Sequence, residues 1–356
     1  MSRWQMPPNG LFTPRFSRAP SRTTGNAYFL IVLCSGDTNL GPNKMKAVLP
    51  ANARSMVEPF LPNDITVSWW SSPDEAKEMI ADAAIAWVDL APVRLTAEAI
   101  LASGPTLKWV STIYAGLDGF PFDILRERGA MLTNGVGINA YPVAEYAVLG
   151  VLAAAKRFDK VIRLQDQREW PNEPPGRTEL FETKALIVGM GAIGKLIGER
   201  LAAFGIEVTG VTRSGRNATL TPDQWRARLG EFDWIVLAAP STDATKSMIG
   251  RSELAAMKPT AWLINIARGD MIDETALLDA LHGNEIGGAF LDPTHPEPLP
   301  PHSPLWSAPN TMITMHLSGR SQTKMWRRAA ALFLRNLDAF RSRKPMENTI
   351  DLNTGY

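Results

Sequence analysis

Polar side chains follow directly on three apolar runs in the second half of the 356-residue chain: Arg268 after 263–267, Glu297 shortly after 290–292, and His316 after 313–315. Open α/β sheets bind their ligands at the carboxyl ends of strands, so a side chain at such a position is placed to do chemistry. A guanidinium offers a planar fork of donors that can grip a carboxylate and polarise a neighbouring ketone. An imidazolium can hand a proton to that carbonyl oxygen while hydride arrives at the carbon, and a carboxylate on the other ring nitrogen would fix the tautomer. Singly, each residue has a plainer alternative: a surface ion pair for Arg268, a loop carboxylate for Glu297, a strand-end histidine for His316. Together, an arginine, a carboxylate and a histidine could converge on one cleft.

A hydride donor needs a site of its own, and the apolar run 185–188 followed by Gly189-Met190-Gly191-Ala192-Ile193-Gly194 has the form of one. Strand, GxGxxG and helix follow in order: Gly189 permits the tight turn, Gly191 lets the backbone approach a pyrophosphate, and Gly194 packs helix on strand. Ala192 and Ile193 open the helix, whose free N–H groups would face the phosphates. Ile193, Leu196, Ile197, Leu201 and Phe204 fit one helical face, with Gly205 as the stop. At the end of the next strand an acid would bind the ribose hydroxyls of NAD; this chain has Thr212-Arg213-Ser214-Gly215-Arg216 instead. Two guanidiniums and hydroxyls with no carboxylate favour the 2′-phosphate of NADP, with NAD as the alternative and a solvated basic turn as the plainer reading. Ala239, Pro240 and Ala267, at later strand ends, complete the expected cofactor-binding set.

These residues need a scaffold that presents several strand ends at once. Strand-like runs at 47–49, 65–69, 84–88, 108–112 and 131–133 alternate with helical segments, and the alternation resumes after Leu186 with 208–212, 234–238, 262–266, 288–291 and 312–315. Two parallel-sheet, Rossmann-like α/β domains with a cleft between them follow. A long apolar helix is expected over 142–157, and the proline-rich 170–177 reads as a linker. With 45% hydrophobic residues the chain can bury a sizeable core. No apolar run approaches the roughly 20 residues of a membrane span. Thirty-seven basic against 36 acidic residues give no reason to expect a nucleic-acid partner. A single cysteine, Cys34, precludes an internal disulfide and fits a cytoplasmic location. Residues 1–44, with arginines among Pro, Ser and Thr, read as a disordered extension. His295, Glu297 and His302 match no metal-ligand spacing, so no metal is expected. Asp292 reads as a loop-fixing carboxylate.

From Met45 onward the chain resembles the D-isomer-specific 2-hydroxyacid dehydrogenase family, in a layout similar to glyoxylate/hydroxypyruvate reductases. The motifs are GMGAIG, Asn139-Ala140-Tyr141-Pro142-Val143-Ala144-Glu145, Ala267-Arg268-Gly269 with Asp273-Glu274, and the stretch from Leu291-Asp292 through Glu297-Pro298-Leu299-Pro300 to Ser303-Pro304-Leu305-Trp306. The resemblance implies catalytic roles for Arg268, Glu297 and His316. It also implies a substrate site at Tyr114, Ala115 and Gly116, whose backbone amides hold the substrate carboxylate together with Arg268. It divides the chain into a discontinuous substrate domain, 45–145 with 325–356, and an NAD(P)-binding domain, 146–324, and it implies a homodimer. Two departures stand out: the family usually has Pro where this chain has Met315 and Val where it has Pro293. The activity implied is hydride transfer between NADPH and a small 2-oxo acid or D-2-hydroxy acid. The alternative from another class is a dinucleotide-sensing corepressor on the same scaffold.

Overall fold

The structure is a computed structural model and describes residues 44–117, 119–216, 219–320 and 324–355. The expected extension over 1–44, including Cys34, lies outside the described residues apart from Lys44.

Short runs rich in aliphatic and aromatic residues form strands, and those over 85–87, 109–111, 234–237, 262–265 and 288–291 are buried throughout, the pattern of parallel sheets covered by helices. The first sheet comprises β1 (Met45–Pro50), β2 (Ile65–Trp70), β3 (Ile85–Trp87), β4 (Trp109–Ser111) and β5 (Met131–Thr133). Its order is β2-β1-β3-β4-β5, all parallel, so the strand order reverses between β1 and β3. The helices of this region are α1 (Arg54–Val57), α2 (Pro73–Met79), α3 (Val93–Leu101) and α4 (Phe122–Glu127). Two helices follow β5, α5 (Ala140–Lys156) and α6 (Phe158–Gln167).

The second sheet holds β6 (Lys184–Val188), β7 (Glu207–Val211), β8 (Trp234–Leu237), β9 (Trp262–Asn265), β10 (Gly288–Leu291) and β11 (Thr311–Ile313). It is also wholly parallel, in the order β11-β10-β9-β8-β6-β7, and reverses between β6 and β8. Its helices are α7 (Ala192–Ala202), α8 (Arg251–Ala256) and α9 (Glu274–His282). Ligand sites belong outside the carboxyl ends of strands at such reversals. The last helix, α10 (Met325–Arg341), returns to the first sheet. Its Phe333 stacks on Trp109 with ring centroids 5.1 Å apart, in a core shared with Leu49 and Trp87. Burial of these aromatic faces fastens the chain's end to the sheet with which it began.

Three local expectations change. The long helix runs over 140–156, not 142–157, and Arg157 turns into the left-handed region (φ 47°), so the separate helix α6 begins at once. Asp159 holds that corner by pairing with Arg157 at 3.2 Å and Arg163 at 3.1 Å. Phe204 does not continue the buried face of α7: the helix ends at Ala202, Gly205 turns the chain at φ 76°, and Phe204 is 43% exposed. The strand expected over 312–315 is Thr311–Ile313, because Met315 and His316 both lie in the left-handed region and cannot extend a ladder. Among the described residues no helix is long and apolar enough to cross a membrane.

Candidate active site

The turn after β6 has the geometry its glycines suggest. Gly189 adopts φ 104°, and a Cβ there would lie 2.5 to 2.7 Å from the Ala238–Ala239 backbone, so the turn is pressed onto the end of β8. This close approach brings Ala239 beside the turn, with the exposed Pro240 following. A Cβ on Gly194 would meet the Gly189 carbonyl at 1.9 Å, whereas Gly191 faces open space with nothing within 4 Å. Gly191 is the N-cap of α7 and supplies no side-chain cap, which leaves the amides of Ala192 and Ile193 without an intrahelical acceptor. An open cradle of unpaired N–H groups at a helix start fits a dinucleotide pyrophosphate.

At the end of β7 the Thr212 hydroxyl accepts the Gly215 N–H at 3.0 Å and meets the Thr219 hydroxyl at 2.7 Å, fixing a tight turn. Arg213, Ser214 and Arg216 project from it, all exposed. Neither arginine forms an ion pair among the described residues.

The Arg268 turn is shaped by Asn265, the wholly buried last residue of β9. Its Oδ1 accepts the Ala267 N–H at 3.0 Å and its Nδ2 donates to the Arg268 carbonyl at 2.8 Å. Arg268 itself donates from Nη1 to the Ala267 carbonyl at 2.8 Å. The next residue, Gly269, meets the loop after β10 backbone to backbone: a Cβ would fall 2.1 Å from Thr294 C and 2.5 Å from His295 N. Only a glycine permits that contact, and it couples the Arg268 turn to the loop that carries Glu297.

Glu297 is held from one side and holds on the other. Its Oε1 accepts the Thr294 N–H at 3.2 Å, and its Oε2 lies 3.0 Å from Nδ1 of His316. Glu297 and His316 keep about four-tenths of their side-chain surface exposed. With Nδ1 turned to the carboxylate, its N–H donates to Glu297 and Nε2 is the nitrogen left for a ligand. The backbone beneath is strained, with φ 55° at Met315 and 54° at His316, which costs roughly 1 to 2 kcal/mol per residue. Asp292 offsets this. Its carboxylate, with no exposed surface, accepts the Thr314 hydroxyl at 2.7 Å and the N–H groups of Leu317 and Ser318 at 2.9 and 3.2 Å. Its carbonyl accepts the His316 N–H at 2.8 Å. Proline, fixed near −65°, could not adopt the backbone of Met315, which accounts for the absence of proline before this histidine. Asp270 is engaged elsewhere, accepting the Ser241 hydroxyl at 2.9 Å.

The loop after β4 is clamped from two sides. Tyr114 donates its N–H to the Thr112 hydroxyl at 3.1 Å and its OH to the Leu90 carbonyl at 2.8 Å, so both its donors are used within the protein. Burial beside Asp89 pushes that phenol up to about 12. The carbonyls of Tyr114 and Ala115 accept from the Gly135 N–H and from Asn134 Nδ2 at 2.9 and 3.0 Å. The N–H groups of Ala115 and Gly116 have no acceptor among the described residues. Of the three residues expected at a substrate site, these two therefore keep a free donor and Tyr114 does not.

Sequence reasoning overlooked Asp89, Asn134 and the bridging role of Asn265. Asp89 follows the buried run 85–88 and was open to the strand-end rule that selected Arg268 and His316. Asn134 and Asn265 carry no comparable signal, since what they do depends on loops distant in the chain.

Comparison with known proteins agrees with this arrangement. Residues 148–318 match the family model described as D-isomer specific 2-hydroxyacid dehydrogenase, NAD binding domain. The chain is 33% identical over 281 residues to glyoxylate/hydroxypyruvate reductase B of Pectobacterium carotovorum, covering 73% of this chain and 87% of that protein. It is 32% identical over 265 residues to D-3-phosphoglycerate dehydrogenase of Mycobacterium bovis, covering 72% of this chain and 49% of the relative. A crystal structure of a D-isomer specific 2-hydroxyacid dehydrogenase family protein from Aeromonas salmonicida superposes with a TM-score of 0.75 at 29% identity, covering 87% of this chain and 99% of that one. Both named relatives are dehydrogenases or reductases, and the corepressor alternative finds no support in them. With a glycine cradle on one sheet, an arginine turn packed on the loop of a Glu–His pair, and these likenesses in sequence and fold, the chain belongs to the D-isomer-specific 2-hydroxyacid dehydrogenase family.

Proposed function

We propose that this oxidoreductase is an NADPH-preferring reductase of small 2-oxo acids of the glyoxylate and hydroxypyruvate class, forming the D-hydroxy acid where a stereocentre results. The observation that carries the reading is the 3.0 Å contact between His316 Nδ1 and Glu297 Oε2, on a loop in backbone contact with the Arg268 turn. The substrate class follows the name of the Pectobacterium relative.

In this reading the turn at Gly189, Gly191 and Gly194 with the amides of Ala192 and Ile193 holds the pyrophosphate, flanked by Ala239, Pro240 and Ala267. Thr212 shapes the turn from which Arg213, Ser214 and Arg216 bind the 2′-phosphate, and their exposure without ion pairs supports the preference for NADP over NAD. The nicotinamide, when bound, supplies the hydride. Arg268 grips the substrate carboxylate and polarises the carbonyl, and the N–H groups of Ala115 and Gly116 receive the carboxylate from the other sheet. His316 gives the proton on Nε2 to the carbonyl oxygen, and Glu297 keeps the imidazolium oriented and balanced in charge. In the reverse direction neutral His316 takes the hydroxyl proton.

The same reading assigns 45–145 and 325–356 to the substrate domain and 146–324 to the nucleotide domain. The stacking of α10 on the first sheet supports that return. A homodimer is supported by an apolar groove between α5 and α7, lined by Val148, Leu149, Leu152 and Phe204, of which Leu149 and Phe204 are exposed. Near-neutral charge argues against a nucleic-acid partner, and the cysteine count favours the cytoplasm. Turnover with NADPH and with NADH across a panel of 2-oxo acids tests the proposal. Absence of turnover on every acid of the panel would overturn it.

A further inference from the structure

Asp89 lies two residues beyond the buried end of β3, at the side of the first sheet where the strand order reverses. Three donors converge on its carboxylate: the Thr112 hydroxyl on Oδ1, and the Ile113 N–H at 2.9 Å and Trp87 Nε1 at 2.5 Å on Oδ2. It makes no salt bridge among the described residues. A half-buried carboxylate without a cation is a costly way to stabilise a loop. Its distinguishing property is that it only accepts: every donor around it must point inward, whereas an amide would offer a competing N–H. Thr112, drawn to Asp89, presents its own oxygen to the Tyr114 N–H, and the carbonyls of Tyr114 and Ala115 are tied on the far side by Gly135 and Asn134. The segment is thus held by its first hydroxyl, its first amides and its later carbonyls, while the N–H groups of Ala115 and Gly116 are left over.

We propose that Asp89 is a positioning residue for substrate binding: by drawing Thr112 and Ile113 onto its carboxylate it aims the N–H groups of Ala115 and Gly116 at the carboxylate of the 2-oxo acid. This rests on the proposed reading of that loop as the substrate site. The ionised form is the one that holds the loop, because charge-assisted hydrogen bonds are roughly twice as strong as neutral ones. Burial pushes Asp89 up to about 6, against the pull of its three donors. The titratable neighbour coupled to it among the described residues is the Tyr114 phenol, which stays neutral throughout this range. The affinity for substrate therefore weakens as the medium is acidified through Asp89's titration, independently of proton supply by His316.

Asp89→Asn and Thr112→Val are compared with the wild-type enzyme in steady-state assays with glyoxylate and NADPH between about pH 5 and 9. Loss of the charge-assisted clamp raises the glyoxylate KM of both variants about five- to tenfold at alkaline pH, with kcat and the NADPH KM nearly unchanged. Wild-type KM climbs on the acid side, and that of Asp89→Asn does not. Thr112→Val keeps the side chain's volume and carries the test if the asparagine variant does not fold. Glyoxylate KM values matching wild type at every pH, or an equal rise in the NADPH KM, would overturn the role of Asp89. A wild-type enzyme inactive on all 2-oxo acids overturns the functional reading instead, while Asp89→Asn then still reports on the loop through its thermal stability.

Discussion

Replacing Gly269 by alanine should separate the two loops on which the Glu297–His316 pair depends. The added Cβ would stand 2.1 Å from Thr294 C, 2.2 Å from its carbonyl oxygen and 2.5 Å from His295 N. All three are backbone atoms, so no rotamer relieves the overlap. Carbon atoms in contact settle at about 3.5 Å, and the loops must therefore part by roughly 1 Å or more. Thr294 donates its N–H to Glu297, which in turn orients His316, so the displacement passes to the proposed proton donor. A misplacement of about 1 Å can cost about a hundredfold in rate, and overpacking of this kind costs roughly 1 to 3 kcal/mol in stability. Gly189 and Gly191 lie on a different turn, after β6, so NADPH affinity should be little changed. The assay is kcat with glyoxylate and NADPH, alongside NADPH binding by fluorescence titration and a melting curve. A folded Gly269→Ala enzyme with kcat within about threefold of wild type would show that this contact does not set the catalytic geometry.

Other consequences are open to direct measurement. His316→Ala should lower turnover about a hundredfold or more; turnover within about threefold of wild type would exclude His316 as the proton carrier. Arg213→Ala should raise the KM for NADPH about tenfold or more while leaving that for NADH nearly constant, since one charge-assisted contact to the 2′-phosphate is worth on the order of 1.5 to 3 kcal/mol; equal effects would refute the assignment. Because burial raises Asp89 to about 6, its protonated form is the one favoured by folding, and its contribution to stability is lost as pH rises through about 6. The wild-type melting temperature should therefore fall as pH rises through about 6, and that of Asp89→Asn, which cannot ionise, should lack this step; a step of equal size in the variant would assign it to another group.

Local pattern carried much of this protein. The apolar runs that become the strands are short-range features, read residue by residue, and each lies within a residue or two of its observed place. GMGAIG needed only its neighbours, because a turn, a helix start and a close packing are all determined over six positions. The pairing of Glu297 with His316 could be named from chemistry once a strand-end histidine and a following carboxylate were recognised.

Other features arise only when distant segments meet. Asp89 and Thr112 are 23 residues apart, and Glu297 and His316 are 19 apart. The coupling of Gly269 to Thr294 and of Asn134 to Ala115 depends on how whole loops dock, which no window of sequence records. Both donors of Tyr114 are engaged within the protein, and Phe204 leaves the core because its helix ends two residues before it. The left-handed backbone at Met315 and His316 is likewise a tertiary outcome: residues that would extend a strand are held in a strained turn because the buried Asp292 collects the hydrogen bonds around them. Sequence determined which groups this protein has and the elements that bear them, since propensity and periodicity act locally. The tertiary structure decided which donors remain free and which carboxylates are buried, since hydrogen-bond satisfaction and desolvation belong to the assembled fold.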